Sequence, residues 1–325
     1  MALAVALVVL ARLLLNWNVA AYDFGTLPVL NGLLAAYGVP AAGFALAAVL
    51  FGRRRDDALV AVLEAGALAF LAALVLLEIR HALAGGSLDP DGDWSFREAA
   101  LDVTGLALLA TLARWLDQRL GGRQVLGWGW RLLLGLAAVL SLRLVLDNPA
   151  FSDGAVLLRF PVFNELALAY AVPALLAALA ARALARPGGM AFDPLLTRGL
   201  AGYALVAAFA WVTLTVRHRF HPVELSLTLE ETSAAELWAY SGAWLGFGAA
   251  LLALGIRSGI AALRLAALAV IGLTIGKAFL VDMAELTGLW RVLSFLGLGL
   301  ALIGLGWVYR RFVVVPVAEA PPRPV

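Results

Sequence analysis

Residues 58–80 read ALVAVLEAGALAFLAALVLLEIR, and the reading of that stretch decides the fold. It is a run of Leu, Ala and Val broken by two glutamates and closed by Arg80. An α-helix rises about 1.5 Å per residue, so about twenty apolar residues cross a hydrocarbon core roughly 30 Å thick. Comparable runs fall at 2–16, 26–51, 97–118, 125–146, 157–181, 194–216, 234–256, 260–281 and 288–309. The chain is therefore expected to be an all-α integral membrane protein of about ten transmembrane helices. A membrane barrel would instead alternate apolar and polar residues in segments of about ten. A helix also satisfies its own backbone in lipid, segment by segment. Composition agrees: 63% of the 325 residues are hydrophobic and 14% are charged. A soluble domain needs about 25% charged residues to face water.

Arginine placement orients the spans, because basic residues concentrate in cytoplasmic connections. Arg53, Arg54 and Arg55 follow the second span, and Arg114, Arg119 and Arg123 surround the end of the fourth. Arg182, Arg186 and Arg198 flank the connection after the sixth, Arg257 follows the eighth, and Arg310 and Arg311 follow the last. The other connections are acidic or mixed, with Asp23, Asp89, Asp91, Asp93, Asp153, Glu224, Glu230, Glu231, Asp282 and Glu285. Both termini are thus expected in the cytoplasm. Trp17, Trp94, Trp128, Trp130 and Trp290 lie near span ends, as interfacial tryptophans do. Residues 1–312 read as one polytopic domain and 313–325 as a disordered cytoplasmic tail. Arg12 interrupts the first run and no basic region precedes it, which argues against a cleaved signal.

An internal duplication runs through the chain. Pro28-Val29-Leu30-Asn31, Tyr37 and Pro40 return 133 residues later as Pro161-Val162-Phe163-Asn164, Tyr170 and Pro173. Arg80-His81 returns as Arg217-His218, and Glu98 as Glu236. A partial third copy begins near Lys277, where Lys277 and Asp282 resemble Arg143 and Asp147, and Arg291 and Phe295 match Arg159 and Phe163. The boundaries are about 1–120, 125–256 and 260–312, two kinds of hairpin in the order A-B-A-B-A. Four-span units keep one orientation, so an axis near the membrane normal would relate them. Packing alone is the favoured account of such a repeat, with proline kinking helices and asparagine bonding their neighbours.

The ionisable residues gather at one depth, the outer part of the bundle. Arg12 and Asn16 belong there, and the candidate ligand-binding residues are Arg80, His81, Glu98, Arg143, Asp147, Arg159, Arg217, His218, Glu236, Lys277, Asp282 and Arg291. A charge inside a membrane costs about 2.5–3.5 kcal/mol on insertion scales and normally faces a cavity or the protein interior. Three chemistries fit. The arginines and Lys277, the only lysine, could bind a phosphate, a carboxylate or a lipid headgroup; equally, they could pair with Glu78, Glu98 and Asp282, or snorkel. His81 or His218 could act as acid or base, although no nucleophile or metal spacing accompanies them. Glu64, Glu78, Asp102 and Glu165 could step protons or cations, and Glu98 and Asp102 share one helix face. Glycines at 242, 246 and 248, and at 297, 299, 304 and 306, read as close-packing positions.

Cysteine is absent, which excludes disulfides and thiolate chemistry. Nothing calls for a cofactor or a metal. The formal net charge of +2 does not point to nucleic acid, because the arginines sit at helix ends rather than along a stripe.

Near the carboxy terminus, Ala235-Glu236-Leu237-Trp238-Ala239-Tyr240-Ser241, then Arg264 and Gly276-Lys277-Ala278-Phe279-Leu280-Val281-Asp282, form a pattern. Gly288-Leu289-Trp290-Arg291-Val292-Leu293-Ser294-Phe295-Leu296-Gly297-Leu298-Gly299 completes it, and Val216-Arg217-His218 suits it. Together they resemble a bacterial family of multi-pass membrane proteins, domain-of-unknown-function family 2339. The resemblance covers about the last hundred residues directly and the rest through the repeats. It implies a bacterial inner-membrane location and carries no reaction. Members are usually longer, so it implies a short member or a carboxy-terminal piece. The residues themselves point to an outer-facing polar cavity, with membrane lipids as surroundings and an anionic envelope component or a small solute as ligand. A membrane enzyme acting on a lipid-linked or glycan substrate, and an envelope scaffold, are the rival readings.

Overall fold

The computed structural model describes residues 2–14, 22–54, 56–88, 95–151, 160, 163–185, 193–282 and 289–312. All regular structure among them is helical: α1 (Ala2–Leu14), α2 (Val39–Gly52), α3 (Ala58–Leu83), α4 (Phe96–Arg119), α5 (Gln124–Leu146), α6 (Val172–Leu184), α7 (Asp193–Phe220), α8 (Ala234–Ser258), α9 (Ala261–Lys277) and α10 (Leu289–Phe312). Short π-helical turns precede α2 (Leu34–Gly38) and α6 (Ala167–Ala171), and one follows α9 (Ala278–Asp282). Counting those turns, eight helices among the described residues are long and apolar enough to cross a membrane. These are Leu34–Gly52, Ala58–Leu83, Phe96–Arg119, Gln124–Leu146, Ala167–Leu184, Pro194–Phe220, Ala234–Ser258 and Ala261–Asp282. The first and last expected spans are helical too, as α1 and α10. The expected tail, 313–325, lies outside the described residues, as do Trp17, Trp94, Asn16, Arg159 and Asp153.

Two helices begin later than their apolar runs. The segments at 26–51 and 157–181 were expected to be helical throughout, yet each helix starts only after an asparagine. Asn31 Oδ1 accepts from the Leu33 and Leu34 amides at 2.8 and 3.3 Å. Asn164 Oδ1 accepts from Leu166 and Ala167 at 3.1 and 3.2 Å. Each side-chain amide also donates backwards, to the carbonyls of Leu27 and Phe160. A helix start leaves four amides without partners, and an asparagine carbonyl supplies an acceptor on the spot. The matched asparagines thus cap their own helices, and Asn31 in addition joins the neighbouring α3 through Glu78. Ahead of Asn31 the backbone makes a tight turn, with the Leu30 amide on the Pro28 carbonyl at 2.7 Å and Val29 at φ +65°.

The matched prolines also have a local account. Pro40 and Pro173 sit one residue into α2 and α6, directly after π turns. The preceding residues donate across the widened turn, Val39 to Leu34 and Val172 to Ala167. Proline cannot donate, and its ring crowds the carbonyl four residues back; a turn with one extra residue relieves that conflict.

The chain divides into two compact units, residues 1–207 and 208–325. In the first, α4 is the most buried span and packs on α3, α5, α6 and the π turn before α6. Its packing face is small: Ala99, Ala100, Ala107, Ala110 and Ala113 are buried beside Leu106 and Leu109. Small side chains let helices approach closely where lipid offers no hydrophobic drive to pair them. Trp130, expected at an interface, is instead 1% exposed and packed against α4. In the second unit, α8 and α9 form a hairpin around Gly259, which takes φ +70° as the C-cap of α8.

Close approach is concentrated at few of the expected glycines. A Cβ on Gly242, Gly246, Gly299, Gly304 or Gly306 would meet nothing within 4 Å. One on Gly248 would lie 2.7 Å from Ile271 and one on Gly297 3.1 Å from Phe279, while one on Gly255, outside the expected set, would lie 2.9 Å from the Arg264 backbone nitrogen. Backbone cannot step aside as a side chain can. Gly255→Ala should therefore destabilise the protein by about 1–3 kcal/mol, as overpacking does, whereas Gly246→Ala should stay within about 0.5 kcal/mol. Thermal unfolding in detergent separates the two variants; equal shifts would mean the α8–α9 approach is not tight at Gly255.

Candidate functional site

The two matched Arg–Glu pairs are built the same way. Ser95 caps α4 by accepting from the Glu98 amide at 3.2 Å, and Ser233 caps α8 by accepting from the Glu236 amide at 3.2 Å. A Ser-x-x-Glu start normally turns the glutamate back onto the cap residue's amide. Here both glutamates reach instead for the arginine near the end of the preceding helix. Arg80 donates to Glu98 at 2.9 Å, and Arg217 donates from one nitrogen to both Glu236 oxygens at 3.1 Å.

The second pair is fully enclosed, with side chains 1% and 0% exposed. Arg217 also donates to the carbonyls of Leu225 (3.1 Å), Ser226 (2.8 Å) and Glu230 (2.7 Å). Its guanidinium is therefore a staple that gathers the connection between α7 and α8. Glu236 accepts further from His221 Nε2 at 2.8 Å and from the Tyr240 hydroxyl at 2.9 Å. Of the three histidines, His221 is the one on this carboxylate, while His218, favoured from the repeat, is buried one turn earlier in α7. Helical spacing held the signal: His221 follows Arg217 by four residues, and Tyr240 follows Glu236 by four.

His81 is locked by two partners. Its Nε2 faces the Gly25 carbonyl at 2.7 Å, which can only accept, so Nε2 carries the proton. Nδ1 lies 3.3 Å from the Asn31 side-chain nitrogen, which has two hydrogens and also faces the Leu27 carbonyl at 3.1 Å. Asn31 also donates to Glu78 Oε2 at 2.9 Å.

Lys277 and Asp282 meet through a π turn. The pair is separated by five residues where Arg143 and Asp147 are separated by four, and the wider turn accommodates the extra one. Lys277 donates to Asp282 at 2.5 Å, to Ser241 at 2.9 Å and to the Leu237 carbonyl at 2.7 Å, while Ser241 donates to Asp282. Leu237 and Ser241 belong to the same first turns of α8 that carry Glu236. The structure thus brings Arg217, Glu236, Lys277 and Asp282 around one helix start. Arg143 and Asp147 are more loosely joined, at 3.6 Å and partly exposed. Arg159 lies outside the described residues, and for Arg291 only its place in α10 is described.

Sequence reasoning missed Arg97, which donates to the 1%-exposed Glu165 at 2.8 Å and ties the start of α4 to the start of the sixth span. Glu64, expected on a proton path with Glu78, is engaged by Arg123 towards the other end of α3. Four carboxylate oxygens in α3 and α4 are buried and find no hydrogen-bond partner among the described residues: Glu78 Oε1, Glu98 Oε1, Asp102 Oδ1 and, towards the other end of α4, Asp117 Oδ1. Glu98 and Asp102 are 2% and 6% exposed, one turn apart on a single face. The charges that act on Asp102 are Glu98, Arg143 and Arg80.

Removing one partner of a buried pair strands the other. Arg217→Ala should cost about 3–5 kcal/mol, whereas Arg143→Ala, at an exposed pair, should cost less than about 1 kcal/mol. Unfolding of the detergent-solubilised variants followed by tryptophan fluorescence checks this. Similar losses would show that the Arg217 staple does not hold the α7–α8 connection.

No curated protein and no solved structure matches this chain. A family profile described as "Predicted membrane protein (DUF2339)" matches residues 1–312. With the matched region covering nearly the whole chain, and with eight membrane-length helices in it, this protein is a member of the DUF2339 family of multi-pass membrane proteins.

Proposed function

We propose that the protein binds or passes a small solute at a polar site on the outer side of the bundle, and that the Glu98–Asp102 pair exchanges a proton or a cation there. One observation carries this reading: both residues are buried, and each has an oxygen without a hydrogen-bond partner among the described residues. Burying an unpaired carboxylate charge is costly enough that such a group binds a proton or a cation instead. The anionic envelope component expected from the arginine count draws less support. Arg80, Arg217 and Lys277 are bonded to carboxylates within the protein. For the enzyme reading, with His81, His218 or Glu236 as acid or base, Glu236 lends little support, since both its oxygens are engaged within the protein.

The topology that places this site outward rests on the alternating basic connections, with both termini in the cytoplasm of a bacterial inner membrane. The duplication draws support from geometry beyond the residue matches. Two π turns of equal length begin 133 residues apart, each opened by an asparagine cap and followed by proline. The two Ser-capped helix starts hold equivalent Arg–Glu pairs.

A scaffold is the second reading, favoured by Arg217, whose guanidinium is occupied by the connection it gathers. Infrared spectroscopy of the reconstituted protein separates the two. The proton reading expects a protonated-carboxyl C=O absorption at neutral pH that is lost in Asp102→Asn and displaced in Glu98→Gln. A wild-type spectrum without that absorption at any pH, together with no effect of added cations on stability, would sink the proposal and leave the scaffold.

A further inference from the structure

At the other end of α4 from Glu98, a cleft of about 240 Å³ opens between α4, α5 and α6. Sixteen residues separate Arg114 from Glu98, roughly 24 Å along the helix at 1.5 Å per residue, so this cleft is distinct from the carboxylate pair. Its lining changes character from one part to the next. Arg114 and Gln118 lie one turn apart on α4, Trp115 and Trp130 supply aromatic walls, and Leu176 and Leu179 of α6 supply an aliphatic one. Leu179 is 54% exposed, so the aliphatic wall continues onto the surface that faces acyl chains. The Arg114 guanidinium is held 5.5 Å from the Trp130 ring centre, and Arg131 stands 4.2 Å from the same ring. Arg119 stands over Trp115 at 5.2 Å. Between residues 114 and 131 there are four arginines against one acid, Asp117. Arg123 is engaged by Asp56 and Glu64, and Arg114 and Arg131 take part in interactions within the protein as well.

From this juxtaposition we infer that the cleft is a binding site for an anionic phospholipid. Arg114 and Gln118 contact the phosphate, and an acyl chain lies along Leu176 and Leu179. A guanidinium steadied over an aromatic face is suited to phosphate, because its planar fork of N–H groups matches the oxygens. Basic pockets between membrane helices bind acidic headgroups, and tryptophans sit at headgroup depth. A free phosphate compound would satisfy Arg114 but has no use for the aliphatic wall.

The test is retention of phosphatidylglycerol against phosphatidylcholine by the whole chain purified in detergent, read by native mass spectrometry. The wild type should retain phosphatidylglycerol about ten-fold better, the ratio that one charge-assisted contact supplies. Arg114→Gln should erase that preference. Ala180→Phe, which fills the cleft and keeps Arg114, should erase it as well, so the test survives if the arginine variant fails to fold. Equal retention of the two lipids, or a preference untouched by Ala180→Phe, would overturn the inference. Displacement of the lipid by inorganic phosphate or glycerol phosphate alone would also overturn it, assigning the cleft to a soluble anion.

Discussion

Inside a bilayer there is no water to complete a polar group, so each donor and acceptor must be matched by the chain itself, and this constraint orders the structure. It acts first on the helix starts. Asn31, Asp57, Ser95, Asn164 and Ser233 each place a side-chain oxygen on amides of the first turn. It acts next on the charges. Arg80, Arg217 and Lys277 would be costly alone in lipid, and each is joined to a carboxylate within hydrogen-bond distance.

The two Arg–Glu pairs illustrate how one device can serve different ends. Around Arg217 the match is nearly complete. The guanidinium holds three backbone carbonyls as well as Glu236, and Glu236 is in turn held by His221 and Tyr240. Desolvating such a pair costs several kcal/mol per ion, and only a full set of hydrogen bonds recovers it. That arrangement is rigid and leaves little capacity for chemistry. Around Arg80 the match is incomplete among the described residues, where Glu98 keeps one buried oxygen without a hydrogen-bond partner and Asp102 stands one turn further along α4. The proposed proton or cation exchange draws on that incompleteness.

Much of this was legible in the sequence, for definite reasons. Span positions follow from run length, since about twenty apolar residues have few alternatives to crossing a membrane as a helix. The likeness of Arg80 and Glu98 to Arg217 and Glu236 was readable because an Arg-His pair recurs with a glutamate 18 residues on in one case and 19 in the other. Helical spacing could also have revealed His221 and Tyr240, four residues from Arg217 and Glu236. Other features were beyond reach. Nothing local distinguishes Trp130, buried against α4, from the exposed Trp128 two residues earlier. Nor does a run of glycines reveal which one meets a neighbouring backbone: Gly255 does, and Gly246 does not.

What the sequence by itself determined is everything that depends on one segment at a time: that the chain lies in a membrane, where its helices run, which residues are charged and how they recur. Those properties follow from the transfer of each segment out of water and from helix periodicity. The tertiary structure alone decided which charges are neutralised and which are not. A pair such as Arg97 with Glu165 joins residues 68 positions apart, and the unmatched oxygens of Glu98 and Asp102 exist only once α3 and α5 have closed over α4. The cost of a buried charge is set by its neighbours in space, and those neighbours come from other helices.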